Sequence, residues 1–401
     1  MNIAIIGAGA AGCFAAANID LKKHYVQLFE KTHRALQKVR ISGGGRCNLT
    51  HHCFDVDTLT KSYPRGARLM RKTLYRFGPA DTIEWFNSRG VATYAEKDGR
   101  VFPASNSSQS IVDCLLKPIH RHIQYQKELI ELTHKDQQFK LLFSDHTSFV
   151  ADKVLIASGG FQKPSQYKWL QALGHSFENP VPSLFTFHIQ QSELTHLKGI
   201  SIPQVTLRMA GTSIMQSGPI LITHQGLSGP SVLRLSAWAA RESHQRNYHF
   251  DILINWLGDA TETDVRNILK ANRQSSGKQQ VSHHNPFQLP RRFWDYILHA
   301  IDMPPATKWG EMPALHQNRM VEKLIRDVYS VAGKNTFKEE FVTCGGIKIK
   351  EIDPESMQSR IIKGLFFAGE IMDVDGLTGG FNFQHAWSSG WIAAQGIQYT
   401  P

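Results

Sequence analysis

The chain has 401 residues, with 45 Lys and Arg against 34 Asp and Glu and a formal charge of +11. That length predicts two or three domains, and 41% hydrophobic with 20% charged residues excludes wholesale disorder. Cysteines at 13, 47, 53, 114 and 344 make no C-x-x-C pair, and an odd, scattered set excludes a secreted disulfide framework or a zinc ribbon.

Residues 1–19 are apolar, but no Lys or Arg precedes Lys22 and glycines interrupt the run, so a secretory leader is not expected. No stretch reaches the roughly 18–20 apolar residues of a membrane span. The expectation is a soluble, cytoplasmic protein with no membrane partner. Asn2 to Ile6 reads as a buried parallel strand, followed by Gly7-Ala8-Gly9-Ala10-Ala11-Gly12 and a small-residue helix from Cys13 to Ile19. In that setting Gly7 permits the tight turn, Gly9 lets a pyrophosphate approach, and Gly12 lets helix and strand pack. The helix start presents free N–H groups, including those of Ala10 and Ala11, to phosphate. A second strand, Tyr25 to Phe29, ends at Glu30 and Lys31, where the carboxylate can accept ribose hydroxyls.

Next come Lys38 and the run Ser42-Gly43-Gly44-Gly45-Arg46-Cys47-Asn48, whose glycines suit a backbone pressed against phosphate or a ring edge. Val154 to Ala157 is another buried strand ending in Gly159 and Gly160. Gly364 to Glu370 repeats that pattern through Gly369, and Asp373 and Asp375 follow. A flavin dinucleotide outreaches one mononucleotide half-site and must recruit a distant second segment, so FAD fits these endings better than NAD. No second G-x-G-x-x-G occurs. A stable nicotinamide domain is therefore not expected, and NAD(P)H would serve as a transient reductant.

The strings SGGGRCN (42–48), THQGLSGP (223–230), GGIKIKEIDPESM (345–357) and FAGEIMDVDGLTGGFNFQHAWSSG (367–390), in this order, resemble those of the BaiN/RdsA-type (YhiN-like, aminoacetone-oxidase-family) flavoproteins. The resemblance covers nearly the whole chain. It implies an α/β fold: a split Rossmann-like FAD-binding domain of the two-dinucleotide-binding type, with an inserted β-barrel and a small helical subdomain. It places Gly7, Gly9, Gly12 and Glu30 on the ADP half of FAD and Gly43 to Asn48 near the flavin. Glu370, Asp373, Gly379, Gly380, Phe381 and Asn382 fall in the second contact segment. Leu36 and Arg40 depart from the family pattern, which expects glycine and an apolar residue there. One branch of the family reduces a uridine of large-subunit ribosomal RNA to dihydrouridine.

The domains are expected at 1–180 and 341–401 for the two FAD-binding parts. The insertion spans 181–340, barrel to about 260 and helical from there to about 332, with Phe341 to Gly346 returning the chain. Barrel strands are expected at Gln204 to Met209, Ser213 to Gln216, Pro219 to Thr223 and Tyr248 to Ile254.

Reduction of a uracil needs a proton at C5, and Cys47 and Cys344 are the candidates to supply it; His385 is a further candidate catalytic residue and His224 a possible site residue. Five residues separate Cys47 from Cys53, not the four of the disulfide reductases. Lys38 and Arg46 can neutralise phosphate or an anionic reduced flavin. No metal site is expected, and oligomeric state is left open. Between Asp57 and Asp81 there is no acid, while Lys61, Arg65, Arg68, Arg71, Lys72 and Arg76 accumulate. A helix from Arg65 puts four of these on one face, with Tyr63 and Tyr75 available to stack on bases. Further cations stand at Arg266, Lys270, Arg273, Lys278, Arg291 and Arg292. The leading expectation is an FAD enzyme acting on ribosomal RNA. The alternatives are an FAD enzyme acting on a small metabolite, or an FAD-containing RNA-binding factor without turnover.

Overall fold

A computed structural model describes residues 1–190, 192–334 and 342–399. The chain divides into two compact units, residues 1–183 with 341–401, and residues 184–340. The expected return point at Phe341 lies outside the described residues, and Val342–Ile347 already belongs to the first unit.

In the first unit a five-stranded parallel sheet runs in the order Leu365–Phe367, Lys153–Ile156, Asn2–Ile6, Tyr25–Phe29, Ile123–Gln124. Asn2–Ile6 and Tyr25–Phe29 are buried along all but their first residue, and Lys153–Ile156 and Leu365–Phe367 throughout, which is why these strands read as continuous apolar runs rather than alternations. The strand from the far end of the chain joins the same sheet, so the nucleotide-type domain is split. The helix Phe381–Tyr399 packs on Ala10–Ala17, where Gly390 admits the carbonyl of Ala11 at a distance that a β-carbon would close to 2.8 Å. Phe177–Ser183 pairs antiparallel with Val342–Ile347; the chain thus stays in the first unit through Ser183, three residues past the expected boundary.

The second unit holds a six-stranded sheet in the order Phe187–His188, Gly226–Ser228, Met215–Thr223, Ser201–Met209, His249–Asn255, Asp327–Ala332. Its end strands meet through a Phe187–Lys334 bridge, and the His188 amide donates to the Gly333 carbonyl at 3.1 Å, which nearly closes a barrel. Two expectations change here. The segments about 213–216 and 219–223 form one strand, Met215–Thr223, with the exposed Pro219 at a register irregularity that spares the ladder its missing N–H. Asp327–Ala332, expected to continue the helical region, is a strand whose residues alternate buried and outward. The helices Glu262–Ser275, Arg291–Ala300 and Ala314–Ile325 share one apolar core with this sheet, built on Trp256, Phe293, Trp294 and Trp309.

Candidate functional site

The glycine turn divides its three glycines by task. A β-carbon on Gly7, at φ +102°, would strike the carbonyl of Ala157, and one on Gly12 would strike the carbonyl of Gly7. At Gly9 an added β-carbon meets only open space, at the N-terminus of Ala10–Ala17, a helix start with no side-chain cap. The first two are packing glycines. Gly9 keeps a groove open where the helix dipole and unpaired amides favour an anion. Beside it, Glu30 Oε2 accepts the Ala8 amide at 2.9 Å, and Oε1 accepts the Thr32 amide and hydroxyl at 3.0 and 2.8 Å. Its carboxylate is oriented by the turn itself, with lone pairs left for diol hydroxyls. Lys31 is exposed.

Leu36 takes the left-handed conformation at φ 59° that a glycine would be expected to fill. It is held there by burial and by its amide donating to the Ala8 carbonyl at 2.9 Å. Arg40 turns away to Gln109 at 2.8 Å. The helix Gln37–Gly45 breaks at Ser42 to Gly44, and Gly44 and Gly45 again face open space. Gly43 instead packs on Asn48 and Phe102, and Arg46 lies over the Phe102 ring at 4.0 Å while pairing with Glu96 at 2.8 Å. Asn48, with its amide turned to satisfy both neighbours, bridges the Thr50 carbonyl (3.1 Å) and the Gly380 amide (3.0 Å).

That bridge brings in the distant segment. Lys38 Nζ stands 2.6 Å from Glu370 Oε2, and Glu370 Oε1 accepts the Thr343 amide at 2.8 Å. Burial pushes the Glu370 carboxyl up, but Lys38 and the amides of Thr343 and Gly160 outweigh it and hold it below its usual range. Gly159, Gly369 and Gly379 all have positive φ, and Gly380 abuts the Thr50 backbone. The Asn382 amide closes a ring with the Gly376 backbone, 2.8 Å in both directions. Asp373 is partly exposed. Asp375 is not: it is enclosed, bonded to Arg65 and to Ser183 Oγ at 2.9 Å, and burial pushes its carboxyl up against their pull.

The three candidate catalytic residues are all enclosed. Cys47, at φ 64°, is fully buried and burial pushes its thiol up to about 12. Cys344 is fully buried within Val342–Ile347. His385 is 2% exposed, bonded through Nε2 to the Gly369 carbonyl at 3.1 Å, and burial holds it down to about 4. None presents surface to a substrate. All five cysteines are free. His224 is exposed at the turn that follows Met215–Thr223 in the second unit.

The basic run is also revised. The helix is Ala67–Arg76, burying Leu69, Met70, Thr73 and Leu74. Arg65 precedes it and is committed to Asp375. Tyr63 is 1% exposed, with its hydroxyl on the Phe381 carbonyl at 2.8 Å, so it cannot stack on a base. Arg71 pairs with Asp57 at 3.0 Å and Arg76 with Glu355 at 3.5 Å. Lys61, Arg68 and Lys72 remain exposed, beside Tyr75 at 66% exposure. Nothing in the local sequence pointed to the Arg65–Asp375 or Asn48–Gly380 contacts, since each joins segments more than 300 residues apart.

Open space at Gly9, Gly44 and Gly45, a helix N-terminus, a turn-bound Glu30 and a second glycine segment fit an extended dinucleotide. No cluster able to hold a metal occurs among the described residues. A split Rossmann-type domain with an inserted barrel and these cradles is the architecture of an FAD-dependent oxidoreductase. The chain belongs to the HI0933-like Rossmann-domain family, whose profile matches residues 1–396. It is 29% identical over 406 residues to a ribosomal RNA dihydrouridine synthase of Escherichia coli (strain K12), covering 98% of this chain and 97% of the relative. It is 24% identical to a 3-dehydro-bile acid delta(4,6)-reductase of Clostridium scindens over the whole of both chains. Among solved structures, a 3-ketosteroid delta1-dehydrogenase from Sterolibacterium denitrificans, in complex with 1,4-androstadiene-3,17-dione, shares the fold. It aligns with a TM-score of 0.51 at 11% identity, covering 100% of this chain and 99% of that one.

Proposed function

We propose that the protein reduces a uridine of ribosomal RNA to dihydrouridine in the cytoplasm, with NAD(P)H as the hydride source. The whole-length correspondence to a dihydrouridine synthase carries this reading. The exposed Arg68, Lys72 and Tyr75 support it, since cations flanking an accessible ring suit a phosphate backbone and its bases. The reaction adds a hydride to C6 and a proton to C5 and leaves NAD(P)+, so atoms and electrons balance.

FAD, when bound, supplies two-electron hydride transfer between nicotinamide and substrate. The chain's own residues do the rest. Gly9 with the amides of Ala10, Ala11 and Gly12 would receive the pyrophosphate, and Glu30 would accept the ribose hydroxyls. Gly43, Gly44 and Gly45, with Asn48, shape the flavin loop. Lys38, fixed by Glu370, places a positive charge beside it. Gly159, Gly369, Asp373, Gly379, Gly380 and Asn382 would hold the cofactor's other side, with the Phe381 ring packed against Gly379.

A second reading, reduction of a ring double bond in a small hydrophobic metabolite, is favoured by the equally full-length likeness to the bile acid reductase. Mass spectrometry separates them: deleting the gene removes a dihydrouridine from ribosomal RNA under the first reading, and an unchanged level rejects it. Flavin released into the supernatant on denaturing the purified protein checks the cofactor.

A further inference from the structure

Arg234 carries a charge that its own surroundings do not answer. It lies on Pro230–Trp238 in the second unit. The first turn of that helix is pinned to the strand Met215–Thr223: Ser231 Oγ donates to the Pro219 carbonyl at 2.8 Å, and Gly229 packs on the backbone of Pro219 to Leu221. Helical side chains lean toward the N-terminus, so the guanidinium comes to rest over Gly218 on the same strand. There it occupies the space that a β-carbon at 218 would need. Gly218 is buried, with φ +137°, so glycine both permits the backbone and makes room for the arginine.

A guanidinium offers five N–H donors. Surface arginines ordinarily keep the whole head in water, and buried ones ordinarily meet a carboxylate. Arg234 does neither. Its Nε is shut off from solvent and has no hydrogen-bond partner among the described residues. Burial shifts its proton affinity downward, with no carboxylate among the described residues pulling the other way. A donor left in this state is costly, and a charged one more so; only Nε is enclosed, so Nη1 and Nη2 stay open to an oxyanion that answers the charge, and the planar guanidinium fork suits phosphate or carboxylate.

We propose that Arg234, seated over Gly218, is an anion-recognition residue that takes a phosphodiester oxygen of the substrate. The receptor stands on the geometry above; the choice of phosphate over carboxylate rests on the RNA reading.

The experiment uses the FAD-loaded full chain, Arg234→Met, Arg234→Lys and Gly218→Ala. Affinity for a uridine-containing RNA oligonucleotide is measured across a salt series, with flavin content and melting temperature followed for each variant. Inorganic phosphate and succinate are titrated separately against the wild-type arginine Nε–Hε NMR signals, with that of Arg234 identified by its loss in Arg234→Met. Arg234→Met should lose about tenfold or more in RNA affinity and flatten the log–log salt slope by about one, with flavin content unchanged. Arg234→Lys should keep the slope but not the full affinity. Gly218→Ala, which keeps the charge and displaces the head, should lose affinity as well. Wild-type affinity and slope in Arg234→Met overturn the proposal, even where dihydrouridine is still made. Phosphate moving the Arg234 signal in an enzyme that makes no dihydrouridine leaves the receptor standing and rejects the RNA reading. Succinate moving it where phosphate does not overturns the phosphate assignment.

Discussion

The Arg65 guanidinium closes on both carboxylate oxygens of Asp375, a residue 310 positions away whose side chain has no exposed surface. Next to it, Gly66 leaves no room for a β-carbon against Val374, and Tyr63 bonds to the Phe381 carbonyl. Three consecutive contacts thus stitch residues 63–66 onto the segment that carries Asp373 and Gly379.

Removing Arg65 strands a buried carboxylate. Arg65→Met should therefore cost about 3–5 kcal/mol of stability and lower the flavin-to-protein ratio, whereas Arg68→Met should do neither. Thermal unfolding with absorbance-based flavin counting distinguishes the two. Equal effects from both would reject the assignment of Arg65 to structure.

Cys47 and Cys344 are enclosed, so neither thiol is expected to donate a proton. Cys47→Ala and Cys344→Ala should each keep turnover per bound flavin within about threefold, with a stability loss of about 1–2 kcal/mol from the lost packing. Single-turnover reduction, normalised to flavin, is the measurement. A drop of about a hundredfold or more, the loss typical of a removed general acid, would restore the cysteine to the chemistry.

His385 gives the protein an acid-sensitive core. Burial holds it down to about 4 in the folded chain, below the unfolded value of about 6.5. The unfolded state therefore binds the proton more tightly. The resulting stability is fully present above about pH 6.5 and is lost as pH falls toward 4, about 3 kcal/mol in all. His385→Gln should flatten urea-unfolding free energies over this window. Parallel curves for wild type and variant would count against the burial argument.

On the outer face of Ala67–Arg76, Arg68→Glu combined with Lys72→Glu should weaken RNA binding by about tenfold or more at moderate salt and flatten its salt dependence. Flavin content should be unaffected, since both side chains are exposed. Filter binding across a salt series reads this out, and unchanged affinity would remove the helix from the RNA surface.

Local pattern alone located the strands Asn2–Ile6 and Tyr25–Phe29, the glycine turn and the terminal Glu30, because a buried parallel strand and a tight phosphate turn each constrain residues only a few positions apart. The widely spaced strand-and-glycine endings at 154–160 and 364–370 were likewise legible as strands, and they stand side by side in the parallel sheet. Asp327–Ala332 is not legible in the sequence, because a short alternating strand after long helices carries a weak signal of its own, and its partner His249–Asn255 lies more than 70 residues back.

The net charge of +11 and the acid-free stretch from 58 to 80 are properties of sequence, and they establish that cations concentrate there. Which of those cations are available is a property of the fold. Arg65 is consumed by a carboxylate 310 residues on, Arg76 by Glu355, and Arg234 Nε finds no partner among the described residues. Sequence sets the number and order of charges, but pairing depends on distance through space, and burial decides how strongly each unpaired charge seeks a partner.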